Sequence, residues 1–414
     1  MGILEKINTS NDIKKLSGDE LDALCAEIRT FLIDNISRTG GHLASNLGTV
    51  ELTVALHRVY DTSRDRVVFD VGHQSYTHKI ITGRRERFFT LRQYGGLSGF
   101  PKPHESADDA FVAGHASNSV SVALGMAKAR TISGGSYDVA ALIGDGALTG
   151  GLAYEGLACA AASGEPMVVI LNDNNMSIDE NVGGIAMLLQ SLRVKPGYIS
   201  FKRWYRATFA KAPALYRFNH RIKEWIKSRV LPRNMFTAMG LSYLGPVDGH
   251  DVENLETVLR WAKEMREPVI VHVLTKKGKG CKYAEEHPEM YHGVGPFDPV
   301  TGELQPSGDC FSELFGKYLC EFAERDGRIA AITAAMSSGT GLECFAKKYP
   351  ERFIDASIAE GNATAIAAGM AKQGALPVFA VYSSFLQRGY DMLIHDISLQ
   401  NLHVVFGIDR AGIV

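Results

Sequence analysis

Apolar residues recur at Leu21, Leu24, Ile28, Phe31 and Leu32, on one side of a 3.6-residue repeat, behind Ser17 and Glu20 at the spacing of a capping box. The pattern predicts an amphipathic helix ending near Ser37, before a turn at Gly40 and Gly41. The period then changes. Short continuous runs rich in Val, Ile and Leu lie at 67–71, 139–143, 167–171 and 269–274, separated by helical stretches. This alternation predicts βαβ units around a parallel sheet, because parallel neighbours need a crossover and both faces of their strands are covered.

Two breaks in composition divide the chain. Segment 201–233 carries ten Lys or Arg against one acid, Glu224, with Trp204, Tyr205, Phe209, Tyr216 and Trp225 interleaved irregularly. A polyanion-binding patch and a solvated helical insertion over the core both fit, and the insertion, at about 183–240, is the simpler reading. The Gly- and Pro-rich stretch 293–308 reads as a linker between a first unit, 1–292, and a second, 309–414. In the second, a helix is predicted at 311–325, strands at 329–333, 377–382 and 404–408, and helices near 362–372 and 386–399. The fold class is α/β, a parallel sheet flanked by helices followed by a second α/β domain.

Composition then removes several classes of function. With 44 Lys and Arg against 46 Asp and Glu, the surface as a whole suits neither nucleic acid nor an anionic membrane. No apolar run approaches the roughly 20 residues needed to span a bilayer. Positions 1–16 lack the apolar centre of a secretory signal, and Lys6 stands where a myristoylation motif after Gly2 wants Ser or Thr. The cysteines, Cys25, Cys159, Cys281, Cys310, Cys320 and Cys344, form no C-x-x-C pair, so neither a disulfide scaffold nor a zinc site is indicated. A cytoplasmic protein is expected.

The chemistry concentrates at strand ends. Gly144-Asp145-Gly146-Ala147 closes one apolar run and Asn172-Asp173-Asn174 closes the next. Oxygen-bearing side chains at the carboxyl ends of neighbouring strands suit a hard cation such as Mg²⁺, which shares its ligands readily with phosphate. The glycines let backbone approach a diphosphate, and a following helix can aim its N–H groups at it. A lone Gly-Asp-Gly is also an ordinary strand-to-helix turn; the second motif makes it a pair.

This pair resembles the cofactor motif of thiamine diphosphate enzymes, and the resemblance continues along the chain. Ser37-Arg38, Gly41-His42, Gly48-Thr49-Val50-Glu51-Leu52-Thr53, Asp70-Val71-Gly72-His73-Gln74, His78-Lys79-Ile80 and Thr82-Gly83-Arg84 are similar to the 1-deoxy-D-xylulose-5-phosphate synthase family. So are Gly245-Pro246-Val247-Asp248-Gly249-His250-Asp251, Thr275-Lys276-Lys277-Gly278, Phe385-Leu386-Gln387-Arg388 and Asp409-Arg410-Ala411-Gly412. The resemblance implies a thiamine diphosphate-binding fold with a diphosphate-binding first domain and a partial pyrimidine-binding second one. It implies condensation of pyruvate with D-glyceraldehyde 3-phosphate to 1-deoxy-D-xylulose 5-phosphate and CO₂, at the entry to isoprenoid, thiamine and pyridoxal biosynthesis, by a homodimer.

The same resemblance assigns roles. Asp145, Asn174 and the carbonyl of Met176 would hold Mg²⁺, while His73, Gly114, His115, Ala116, Gly146 and Ala147 line the thiamine diphosphate. Glu360 would hydrogen-bond the aminopyrimidine, against the alternative of an acid placed only to favour a helix N-terminus; if enclosed beside the cofactor, its pKa should rise. His42 and His73 would face the reacting carbon, with His292 a third and His250 more peripheral. Tyr382, Arg388 and Arg410 would contact the aldehyde's phosphate, or make surface salt bridges, and Phe385 would pack on the pyrimidine. Three departures stand out. Gly361-Asn362 replaces the family's Gln-His beside the acid, Cys281 replaces a cofactor-contacting tyrosine, and the family continues past Val414. That last difference implies a shortened synthase, with a cofactor-binding half needing a complementary C-terminal chain, or an inactive fragment, as alternatives.

Overall fold

The computed structural model describes residues 2–174, 176, 234–305 and 310–412. The basic segment 201–233, and with it most of the insertion expected at 183–240, lies outside the described residues.

The four apolar runs of the first unit are strands β1 (Arg66–Phe69), β2 (Val139–Gly144), β3 (Met167–Asp173) and β5 (Pro268–Leu274), joined by β4 (Ser242–Asp248). All pair in parallel, in the order β1-β2-β3-β5-β4. Because side chains alternate across a strand, this sheet feeds two cores. Ala140, Leu142, Val168, Ile170, Val269, Val271 and Val273 pack towards helices Gly18–Thr39, Val50–Val59 and Val252–Glu264. Val139, Ala141, Ile143, Met167, Val169, Leu171 and Ile270 pack on the opposite side against helices Ser119–Ser133 and Gly151–Ser163. Helix Gly18–Thr39 begins at the expected capping box, where the Ser17 N–H donates to Glu20 Oε2 at 2.9 Å.

β1 stops two residues short of its apolar run because Val71 adopts φ +56°, an unusual conformation for a β-branched residue, which turns the chain towards His73. The stretch expected as a linker is structured at its start. Val294 pairs with Gly41 as an isolated bridge, and both Val294 and Phe297 are buried in the first core.

The second sheet runs β7-β6-β8-β9, again all parallel, from β6 (Ile329–Thr333), β7 (Phe353–Asp355), β8 (Leu376–Tyr382) and β9 (Val405–Asp409). Helices Phe311–Arg325 and Glu343–Lys348 cover one face, through Leu319, Cys320 and Phe345. Helix Glu360–Lys372 covers the other with Ala363 and Ala367. The helix expected at 386–399 is a series of short pieces, Ser383–Leu386, Gln387–Gly389, Tyr390–Met392 and Leu393–Ser398. Gly389 permits their approach to helix Glu360–Lys372: a Cβ there would stand 2.5 Å from Thr364 Oγ1.

Candidate active site

In parallel sheets all carboxyl ends lie on one side, and ligands bind there. Gly144 and Asn172 are register partners on β2 and β3, and the Asp145 N–H donates to the Asn172 carbonyl at 3.1 Å, so the two strand-end motifs are laid side by side. Asp145 is only 2% exposed. The second motif is anchored from below: Thr275 Oγ1 donates to Asn172 Oδ1 at 2.6 Å, and Asp173 Oδ2 lies 2.8 Å from His272 Nε2, whose Nδ1 is 2.6 Å from the Tyr243 hydroxyl. Asn174 is the first residue beyond this anchored pair, and its Oδ1 accepts the Met176 N–H at 3.1 Å. Open space lies over Gly114, Gly144 and Gly151, where an added Cβ would meet no atom within 4 Å.

Three of the expected histidines come together beside β1. Ring centroids are 5.4 Å apart for His42 and His73, 5.0 Å for His73 and His292, and 5.8 Å for His42 and His292. Asn46, fully buried, makes this possible, since its Nδ2 donates to both the His42 and His73 carbonyls, at 2.6 and 2.7 Å, while its Oδ1 accepts the Tyr76 N–H at 2.8 Å. The rings are half-buried and crowded. Burial, with the nearby Lys277 cation, pulls His73 down to about 3. Burial likewise holds His42 and His292 well below the usual imidazole range, so all three rings are neutral at pH 7. His73 Nδ1 is enclosed and has no hydrogen-bond partner among the described residues. His250 does different work: its Nδ1 lies 3.1 Å from Glu51 Oε2 and its Nε2 accepts the Lys276 N–H at 2.8 Å, pinning the loop that carries Lys277. Although burial opposes it, hydrogen bonds from His250 and Arg29 hold the Glu51 carboxyl down at about 2.

The second unit meets the first at this end of the sheet. The Ile358 N–H donates to Thr149 Oγ1 at 3.2 Å, the Arg388 guanidinium donates to the Ala116 carbonyl, and the Phe385 and His115 rings are 6.1 Å apart. Glu360, 5% exposed, opens its helix two residues after Ile358. Burial raises its carboxyl above the usual range, against the pull of Arg388. Arg410 lies over the Tyr382 ring at 4.0 Å, a cation–π contact, and Tyr382 is 5.6 Å from Phe385.

The departures also have places. At Gly361 a Cβ would stand 3.1 Å from Met392 Cε and 3.3 Å from the Arg388 carbonyl, so the small residue accompanies a tight approach, while Asn362 is exposed. Cys281 is buried in the first core, and its N–H donates to the Gly278 carbonyl at 3.0 Å. Three polar residues of this region escape sequence reasoning as site residues. They are Asn46, Lys277 and Asp70, whose carboxylate accepts the N–H groups of Ser117 and Ser119 at 2.7 and 3.0 Å and so fixes the turn after His115. Asp70 and Lys277 stand inside motifs quoted above; their chemistry, directed at backbone or at other side chains, gave no separate signal.

Among the described residues, no group of three or more His, Cys, Asp and Glu is placed to hold a metal ion. A cation at the strand ends would therefore draw on Asp145, the Asn174 amide oxygen, a backbone carbonyl and the oxygens of a phosphate ligand, a donor set that suits Mg²⁺. No helix among the described residues is long and apolar enough to cross a membrane.

The sequence profile described as 1-deoxy-D-xylulose-5-phosphate synthase matches residues 4–275, and that of the transketolase pyrimidine-binding domain matches 310–414. The chain is 51% identical over its whole length to the 1-deoxy-D-xylulose-5-phosphate synthase of Clostridium kluyveri and 50% identical to that of Clostridium acetobutylicum, in each case covering 67% of the relative. It thus spans about two thirds of the length of these curated relatives. Transketolase from Campylobacter jejuni superposes with a TM-score of 0.51 at 18% identity, covering 94% of this chain and 69% of that one, which shows a common fold. On the length and identity of these matches, the chain belongs to the 1-deoxy-D-xylulose-5-phosphate synthase family.

Proposed function

We propose that this chain takes part in the thiamine diphosphate-dependent condensation of pyruvate with D-glyceraldehyde 3-phosphate to 1-deoxy-D-xylulose 5-phosphate and CO₂. The observation that carries the reading is the meeting of the two units. Ile358 and Arg388, which flank Glu360 in space, bond to Thr149 and Ala116, which flank the Asp145 turn and the His115 turn. A buried acid of raised pKa is thereby brought to the strand ends that suit a magnesium diphosphate. The open space over Gly114 and Gly144 and the His73 Nδ1, without a partner among the described residues, fit a bound organic diphosphate there.

In this reading Asp145, Asn174 and the Met176 carbonyl hold Mg²⁺, and Gly146 and Ala147 with Gly114, His115 and Ala116 line the cofactor. Thiamine diphosphate, when bound, supplies the nucleophilic carbon and the electron sink for decarboxylation. Glu360 holds a proton on its carboxyl and shares it with the pyrimidine, for which a raised pKa is the suitable adjustment. His42, His73 and His292, neutral and mutually in contact, offer hydrogen bonds to the reacting carbonyls without adding fixed charge. Arg388, Arg410 and Tyr382 receive the aldehyde's phosphate, Phe385 packs on the pyrimidine and Cys281 backs the cofactor edge from the core. Assembly as a homodimer belongs to the same proposal.

The test is product formation from the two substrates with thiamine diphosphate and Mg²⁺, read by mass spectrometry, together with thiamine C2–H exchange read by NMR. Product that disappears in Glu360→Ala supports the reading. Cofactor bound with unaltered C2–H exchange in Glu360→Ala would overturn the role given to the acid.

A further inference from the structure

The second unit carries a side-chain pair that the proposed chemistry does not use. Cys320, in helix Phe311–Arg325, and Cys344, in the short helix Glu343–Lys348, approach with their Sγ atoms 3.4 Å apart. Both are free thiols; Cys320 is buried in the core formed with Leu319, Ala323, Leu342 and Phe345, whereas Cys344 is exposed. We propose that Cys320 and Cys344 form a redox-active pair, closing to an intradomain disulfide when a small disulfide such as glutathione disulfide reaches Cys344.

Geometry favours closure. A disulfide has its sulfurs about 2.05 Å apart, so the pair must close by about 1.4 Å. That movement is divided between two side chains, one of them on a helix of only six residues. The exchange balances without any further oxidant. Cys344, as its thiolate, attacks one sulfur of glutathione disulfide, breaking that S–S bond and releasing one glutathione thiolate. Cys320 then gives its proton to water and attacks the Cys344 sulfur, releasing the second glutathione. Two protein thiols lose two electrons, and one glutathione disulfide becomes two glutathiones.

Exposure makes Cys344 the point of entry, since thiol–disulfide exchange needs access to the attacking sulfur. The second step is restrained at neutral pH, because burial pushes the Cys320 thiol up to about 11, and it quickens as pH rises. The bond would span 24 positions of sequence and enclose β6 with the turn after it. Ala335 in that turn donates its N–H to Asp355 Oδ1 at 2.8 Å, an acceptor shared with Ser357 on the approach to Glu360. Closure therefore ties together two helices on the face of the sheet opposite helix Glu360–Lys372, restraining the unfolded chain more than the folded one.

The full chain is equilibrated with glutathione disulfide, quenched with N-ethylmaleimide, digested without reduction and analysed by mass spectrometry, with calorimetry in parallel. A peptide cross-linked through Cys320 and Cys344 is expected, while the exposed Cys159 and Cys310 carry only glutathione or maleimide. The unfolding midpoint of the second unit should rise by roughly 5 °C or more, return on reduction with dithiothreitol, and stay unchanged in Cys344→Ser. Cys320→Ser should leave Cys344 as a glutathione adduct, which shows the order of attack. Recovery of Cys344 in the unaltered chain only as a glutathione adduct, or of both cysteines as maleimide adducts, would overturn the proposal. So would an equal rise in midpoint in Cys344→Ser.

Discussion

Acid should weaken the first unit through its crowded imidazoles, and His73 allows the effect to be worked out. Its folded pKa, about 3, lies below the ordinary imidazole value of 6.5. Between those values the unfolded chain binds a proton that the folded chain refuses, so stability rises with pH in this window and is complete above about 6.5. From pH 7.5 to 5.5 a ring kept neutral in the fold forfeits about 1.4 kcal/mol, the difference in protonation free energy of the unfolded imidazole. Because the ring is not fully buried, about 1 kcal/mol is the better expectation. His42 and His292 act in the same direction.

His73→Asn removes this share, together with the smaller push that His73 exerts on His42 and His292. Asn46 bonds the backbone carbonyl of residue 73, so the substitution keeps that clamp. Urea unfolding of both proteins at pH 7.5 and 5.5, followed by circular dichroism, should show the variant losing about 1 kcal/mol less on acidification than the wild type. The buried His57 and His78, also depressed, and Glu360, which is raised and works with the opposite sign, are common to both proteins and cancel. Equal losses in the two proteins would refute the argument, because they would mean that His73 is protonated as easily folded as unfolded.

Other perturbations test other parts of the structure. Glu360→Gln should lower turnover about 10²- to 10⁴-fold while leaving thiamine diphosphate affinity, measured by fluorescence quenching, nearly unchanged. Asp145→Ala should raise the Mg²⁺ concentration needed for half-maximal cofactor binding by about tenfold or more, read by titration with EDTA-stripped protein. Asn46→Ala strands two carbonyls and one N–H in a buried setting and should cost about 2–4 kcal/mol in urea unfolding. Gly316→Ala should unfold the second unit at lower temperature in calorimetry, by an amount equivalent to about 1–3 kcal/mol, because the added Cβ would stand 1.8 Å from the Gly341 carbonyl oxygen.

How far the sequence speaks depends on where each residue's partners are. β2, β3 and β5 are legible because both faces of each are buried, so each is written as an unbroken apolar run. β4 is not, since Gly245-Pro246 interrupts it, and it survives only because it is an edge strand, where a missing N–H costs no ladder bond. β7, three half-buried residues at the other sheet's edge, is too short to show a period. The site divides in the same way. Asp145 and Asn174, proposed to hold the cation, stand out because oxygen side chains at two neighbouring strand ends are the donor type such an ion takes. Asn46 does not, because its partners are backbone atoms at His42, His73 and Tyr76 that any residue type would present. Asp70 likewise serves amides 47 and 49 positions away, on the far side of a crossover. Lys277 shows the limit most clearly: a lysine in a Gly-rich basic loop reads as solvated surface, and only the fold buries it where its charge adds to the burial that keeps His73 and His292 neutral. A motif thus announces the groups that touch a ligand, while the groups that set their protonation and position are chosen by contacts that exist only after folding.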